Sequence, residues 1–274
     1  MDTKGNGRDH ETGSSANELE GSTSGTGPRA ATSAGAALPL FYRDPTVLQA
    51  EVHSAKGIRR DCGYHFARHT HAVPLHLAEF RSALAHYPIV FAPEAGGTPL
   101  ALLGTQSNQN HFVGEDGRWE PSAYVPAYVR RYPFITARNE TDGTQVLCID
   151  LDSDLVVDLE GRQDAEPLFV AGAASEYTKQ MQSFCAAFDR EIEATKEFIS
   201  ALEAEQTLVD KEIKLGLPDG TNQVMTGFRL VDQQAFDALA ESTVVAWHKK
   251  GWVSAIHWHW ASMDNLVRMI TKRT

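Results

Sequence analysis

The side chains of this sequence that can do chemistry lie in a few short groups. Arg130-Arg131 stand directly before Tyr132-Pro-Phe134. Two guanidinium groups flanked by aromatic rings can clamp a carboxylate or a phosphate, because the planar fork matches two oxygens and stacks on rings. The plainer alternative is structural. Adjacent side chains diverge, so one arginine pairs with a buried carboxylate such as Glu79 while the other stays in water. Arg130, Arg131 and Tyr132, with Trp119 from Gly117-Arg-Trp119, are therefore the candidates for binding a ligand or partner.

His69 and His71 are two apart, a spacing that puts both rings on one face of an extended strand, and His76 follows. Imidazole nitrogens so placed can begin a metal site. No third ligand can be named, and ordinary surface or hydrogen-bonded histidines are the plainer reading, so no metal is assigned. Asp150, Asp152 and Asp154 spell D-x-D-x-D, the opening of a calcium loop. The template then fails, with Leu155 where the turn glycine belongs and Gly161 where a bidentate glutamate belongs. An acidic loop is expected there. His257 and His259 fall in a predicted helix, where residues two apart point away from each other, so they do not chelate one ion; one of them packs in the core beside Trp260.

No Gly-x-Ser-x-Gly elbow, H-E-x-x-H, G-x-x-x-x-G-K-[ST] or G-x-G-x-x-G motif opens a helix in this sequence. No catalytic residue or cofactor is assigned, and whether the chain is an enzyme stays open. The 36 acidic and 25 basic residues give a formal net charge of -11, which opposes non-specific attraction to nucleic acid or to an anionic membrane. Cys62, Cys148 and Cys185 are far apart and odd in number, which is neither a disulfide framework nor a zinc knuckle. No apolar stretch is long enough to span a bilayer, and the first residues lack a basic region followed by an apolar run. A soluble protein of the cytoplasm is expected; the alternative is the cell surface, reached by a route that needs no N-terminal signal.

Residues 1–37 are Gly, Ser, Thr, Ala and charge, with no aromatic residue, and read as a disordered tail; residues 38–274 read as one domain. Short apolar runs at Ile89-Val-Phe91, Leu100-Ala-Leu-Leu103, His111-Phe-Val113 and Gln145-Val-Leu-Cys-Ile149, parted by turn residues, predict strands. Leu77, Phe80 and Leu84 predict a short helix. From Ser175, a plausible N-cap, Tyr177, Met181, Phe184, Phe188, Ile192, Thr195, Ile199 and Leu202 recur at three- and four-residue steps and predict a long one. Asp210 to Leu230 reads as a hairpin turning at Leu217-Pro-Asp-Gly220, and Asp232 caps a short helix. A last helix from about Gly251 puts Val253, Ile256, Trp260, Met263, Val267 and Ile270 on one stripe and ends in Lys272-Arg273. The class is α+β: a mixed, mostly antiparallel sheet with a long helix and a C-terminal helix packed on it.

The blocks Tyr87-Pro-Ile-Val-Phe-Ala92, Asn110-His-Phe-Val113, Gly117-Arg-Trp119, Tyr124-Val-Pro-Ala-Tyr-Val-Arg-Arg-Tyr-Pro-Phe134, Glu166-Pro-Leu-Phe169 and Gly227-Phe-Arg-Leu-Val-Asp232 resemble, in order and spacing, the SapC family of bacterial surface-layer-associated proteins. The resemblance runs from about Tyr64 to the C-terminus. Residues 1–37 lie outside it, and the last helix departs from it in being rich in Trp and His. It implies a role in forming or exporting a paracrystalline surface layer, through contacts with protein partners, and it supplies no catalytic residues. The competing expectation is an enzyme or small-ligand protein, with Arg130 and Arg131 holding an anionic group and His69 and His71 supplying acid-base or metal chemistry.

Overall fold

In the computed structural model, residues 38–139, 143–216, 220 and 222–271 are described. The expected 1–37 tail, part of the 217–220 turn and Lys272-Arg273 lie outside them. Every strand pairing is antiparallel, and the expected single mixed sheet resolves into several small sheets. The largest runs Leu208–Gly216, Asn222–Val231, Ile89–Phe91, Pro99–Leu102, Ala72–Pro74. A second places Gln145–Asp150 between Pro45–Val47 and Phe134–Arg138; a third places Lys56–Arg59 between Val156–Asp158 and Ala165–Pro167. Parallel pairing needs a crossover of a dozen or more residues, and several of these strands are joined by shorter links.

The long helix, Glu176–Ala204, joins the sheets. Ser175 caps it, its hydroxyl accepting the backbone N–H of Thr178 at 3.1 Å. At 29 residues it is roughly 43 Å long, enough to serve two cores. Near its start Tyr177, Met181 and Cys185 pack with Phe134, Ile149 and Leu168. Farther on Phe188, Phe198 and Leu202 enter the central core with Phe80, Phe91, Tyr87 and Ile256. Each large side chain fully buried there contributes on the order of 2 kcal/mol.

The C-terminal helix differs from its expected form: it is two helices, Trp252–Ser262 and Asn265–Thr271. The side-chain amide of Asn265 donates to the carbonyls of Leu84 at 2.7 Å and Ser262 at 3.0 Å, and this fixes the break. The second helix thereby buries Leu266, Met269 and Ile270, while Val267, expected on the buried stripe, is 64% exposed. His259 is the core histidine and His257 the exposed one. His259 is bound through both ring nitrogens, Nδ1 to the Ile89 carbonyl at 2.7 Å and Nε2 to the Val231 N–H at 3.1 Å. That pairing requires the neutral ring with its proton on Nδ1, and burial holds its pKa down to about 4.

Candidate functional site

The Arg130-Arg131 pair ends the short helix Ala127–Arg130, and both guanidinium groups stack on the long helix one turn apart. Arg130 is exposed yet held. Its Nε donates to the Val125 carbonyl and an Nη to the Tyr124 hydroxyl, each at 3.0 Å, and its Cζ lies 5.1 Å from the Phe184 ring centre. Arg131 is 6% exposed, with its Cζ 4.4 Å from the ring centres of both Tyr128 and Phe188 and 5.7 Å from that of Tyr42. Only one of the two cations therefore faces solvent.

Glu79 does not pair with either arginine, a correction to the structural expectation. Its buried carboxylate accepts the Ala127 N–H at 2.7 Å, the Tyr124 hydroxyl at 2.9 Å and the His76 N–H at 3.1 Å. These donors satisfy it locally and position the segment that carries Arg130. Trp119 is a core residue, 6% exposed, with its indole N–H donating to the Tyr87 hydroxyl at 3.0 Å.

The histidines are not one face of a strand either. The strand begins only at Ala72, after a turn, so His69 and His71 part: His69 lines a pocket that His71 does not reach, and His76 lies 3.3 Å from Glu79. No group of three or more His, Cys, Asp or Glu side chains is placed to hold a metal ion among the described residues.

The pocket that takes in His69 and Tyr132 has a volume of about 350 Å³. Asp150 builds it. Fully buried at the end of its strand, Asp150 accepts the N–H groups of Arg43 at 3.0 Å and Asp44 at 2.9 Å and the Tyr132 hydroxyl at 3.1 Å. Burial pushes the Tyr132 phenol up to about 12, so it stays a neutral donor. The D-x-D-x-D loop is thus divided between two tasks. Asp150 ties three segments together, and exposed Asp152 and Asp154 line the pocket.

Arg59 enters from the end of Lys56–Arg59, its N–H donating to the Leu155 carbonyl at 2.9 Å. Cys62 Sγ donates to the Arg59 carbonyl at 3.3 Å, which holds the turn. His65 comes from the short 3-10 turn His65–Ala67 and rests against Gly117. A Cβ at Gly117 would sit 2.2 Å from the ring nitrogen Nε2, and its φ of 77° is already in the left-handed region, so only glycine serves there. Phe66 and Leu155 supply the apolar wall.

Four full charges, Arg43, Arg59, Asp152 and Asp154, thus line one pocket, and none of their side chains makes an ion pair or hydrogen bond among the described residues. The Nε of Arg59, like that of Arg131, is buried without an acceptor among the described residues. Neither Arg43 nor Arg59 has a sequence signature. They are 16 positions apart, and only the sheet pairing and the Asp150 contacts bring them together.

Among the described residues, fold and site define an α+β architecture with a ring-stacked, exposed arginine and a pocket lined by unpaired charges. The chain belongs to the SapC family, whose model matches residues 48–269, most of the chain. Arg43 precedes the matched segment and the other pocket residues fall within it. No curated protein and no solved structure matches the chain. Among the described residues no helix is long and apolar enough to cross a membrane.

Proposed function

We propose that the chain takes part in forming or exporting a bacterial surface layer, acting through contacts with protein partners, as the family resemblance implies. The observation that carries the contact surface is Arg130. An exposed guanidinium already fixed by two hydrogen bonds and two rings loses little side-chain entropy on meeting a partner carboxylate. Arginine, with Trp and Tyr, is enriched among the few residues that carry most of the binding energy at protein interfaces. Tyr124 and Phe184 complete this surface, and buried Trp119 and Arg131 support it from within.

The test compares cells with the unsubstituted chain, a deletion, and Arg130→Ala. The expected result is less surface-layer protein in the surface fraction of the deletion strain and of Arg130→Ala, with the variant accumulating normally. A normal surface layer in the deletion strain would overturn the role; a normal layer in Arg130→Ala alone would overturn the surface.

A further inference from the structure

We infer that the pocket beneath Tyr132 is a binding site for a small zwitterion of the α-amino acid class, with the carboxylate on Arg59 and Arg43 and the ammonium on Asp152 and Asp154. This stands on the pocket alone and does not depend on the surface-layer reading.

Two cations and two anions share this cavity, yet they form no ion pair with one another. An exposed ion pair is worth little once side-chain entropy is counted, so leaving these charges apart costs the fold little. The backbone at each of these positions is fixed. The Arg43 backbone is pinned by Asp150, Arg59 ends a paired strand, and the Asp152–Asp154 segment is a tight turn in which the Ser153 hydroxyl accepts the Leu155 N–H at 3.2 Å. A ligand carrying both charges meets both signs at once.

The sign pattern selects the class. Arg59 is half-buried and its side chain has no carboxylate partner among the described residues, so the cationic side gains most from a carboxylate. A phosphate dianion would meet two aspartates, and a plain amine would meet two arginines, so each single-sign ligand is opposed by half of the pocket. The rings of His65 and His69 at the same cavity make no hydrogen bond among the described residues and can donate N–H bonds to an anion. The volume of about 350 Å³ is at the small end for ligand sites, and Phe66, Leu155 and the Tyr132 ring give an apolar side chain a wall.

The experiment is calorimetric titration of the full chain with L-phenylalanine and L-leucine, then with 3-phenylpropionate, which lacks the ammonium, and L-phenylalaninamide, which lacks the carboxylate. Saturable one-to-one binding of at least one amino acid is expected, with each truncated probe weaker by about tenfold or more, the loss of one charge-assisted contact. Arg59→Gln lowers amino-acid affinity by about tenfold. Asp152→Asn with Asp154→Asn lowers it similarly but leaves 3-phenylpropionate unweakened; these aspartates are exposed, so this variant keeps the fold. Binding of 3-phenylpropionate as tight as that of the amino acid would overturn the zwitterion in favour of a simple anion. Equal binding of the amide, or no saturable heat from either amino acid, would also overturn the proposal.

Discussion

Arg131 and Arg59 face one physical problem, a guanidinium drawn partly out of water, in two regions of the molecule that treat it differently. Around Arg131 the chain closes. Tyr128 and Phe188 approach to 4.4 Å, and the cation is accommodated by ring faces without an ion-paired carboxylate. Around Arg59 the chain leaves a cavity that Arg43, Asp152 and Asp154 also line, although the Nε of each arginine, Arg59 and Arg131 alike, is buried without an acceptor among the described residues. A cation enclosed by rings has its environment supplied by the fold, whereas one that lines an open cavity with unpaired charges has its environment completed from outside. The difference separates an arginine that holds the structure from one that is poised to bind.

The largest effect expected is at Arg131. Arg131→Ala removes two close ring contacts and leaves a void, and should destabilise the protein by about 3 kcal/mol in urea denaturation. Arg131→Met keeps much of the volume while removing the buried charge, and should cost less than about 1.5 kcal/mol. Equal losses in the two variants would break the comparison, because the charge itself would then be needed.

His259 sharpens the contrast as a buried polar ring whose two nitrogens are both partnered. Its pKa falls from about 6.5 unfolded to about 4 folded, so below pH 6.5 the unfolded state binds the extra proton more readily. Stability from this group is complete above about pH 6.5 and is lost as pH falls through about 4, a change on the order of 3 kcal/mol. Urea midpoints measured from pH 7.5 to 4 should fall in that window, and His259→Gln should flatten the fall. An unchanged slope in the variant would place the acid sensitivity elsewhere.

The smallest effect belongs to Arg59. With no protein partner to lose, Arg59→Gln should alter unfolding free energy by less than about 1 kcal/mol. A larger loss would move Arg59 into the structural class with Arg131.

Much of the fold was legible because its signals are local. The strands at Ile89–Phe91 and Gln145–Asp150, the Ser175 cap with its long helix and the Asp232 cap all stand where periodicity and capping chemistry put them. The C-terminal break was not legible, because it depends on Asn265 reaching carbonyls 181 and 178 positions away as well as one nearby. The site was legible only in part. Tyr132, His69 and the D-x-D-x-D loop were visible as residue types at close spacing. Their meeting with Arg43, Arg59 and His65 is set by strand pairing and by Asp150, which leaves no trace in spacing. The Arg130-Arg131 pair was visible too, but which of the two is buried depends on the register of the long helix against it.

One proton–nitrogen spectrum reads both arginines together. With the Nε–H signals assigned by Arg59→Gln and Arg131→Met, the full chain is titrated with the amino acid that binds most tightly. The Arg59 signal is expected to shift saturably while the Arg131 signal, shielded by its rings, stays in place. A static Arg59 signal, or a shift confined to Arg131, would contradict the division between the open and the enclosed arginine.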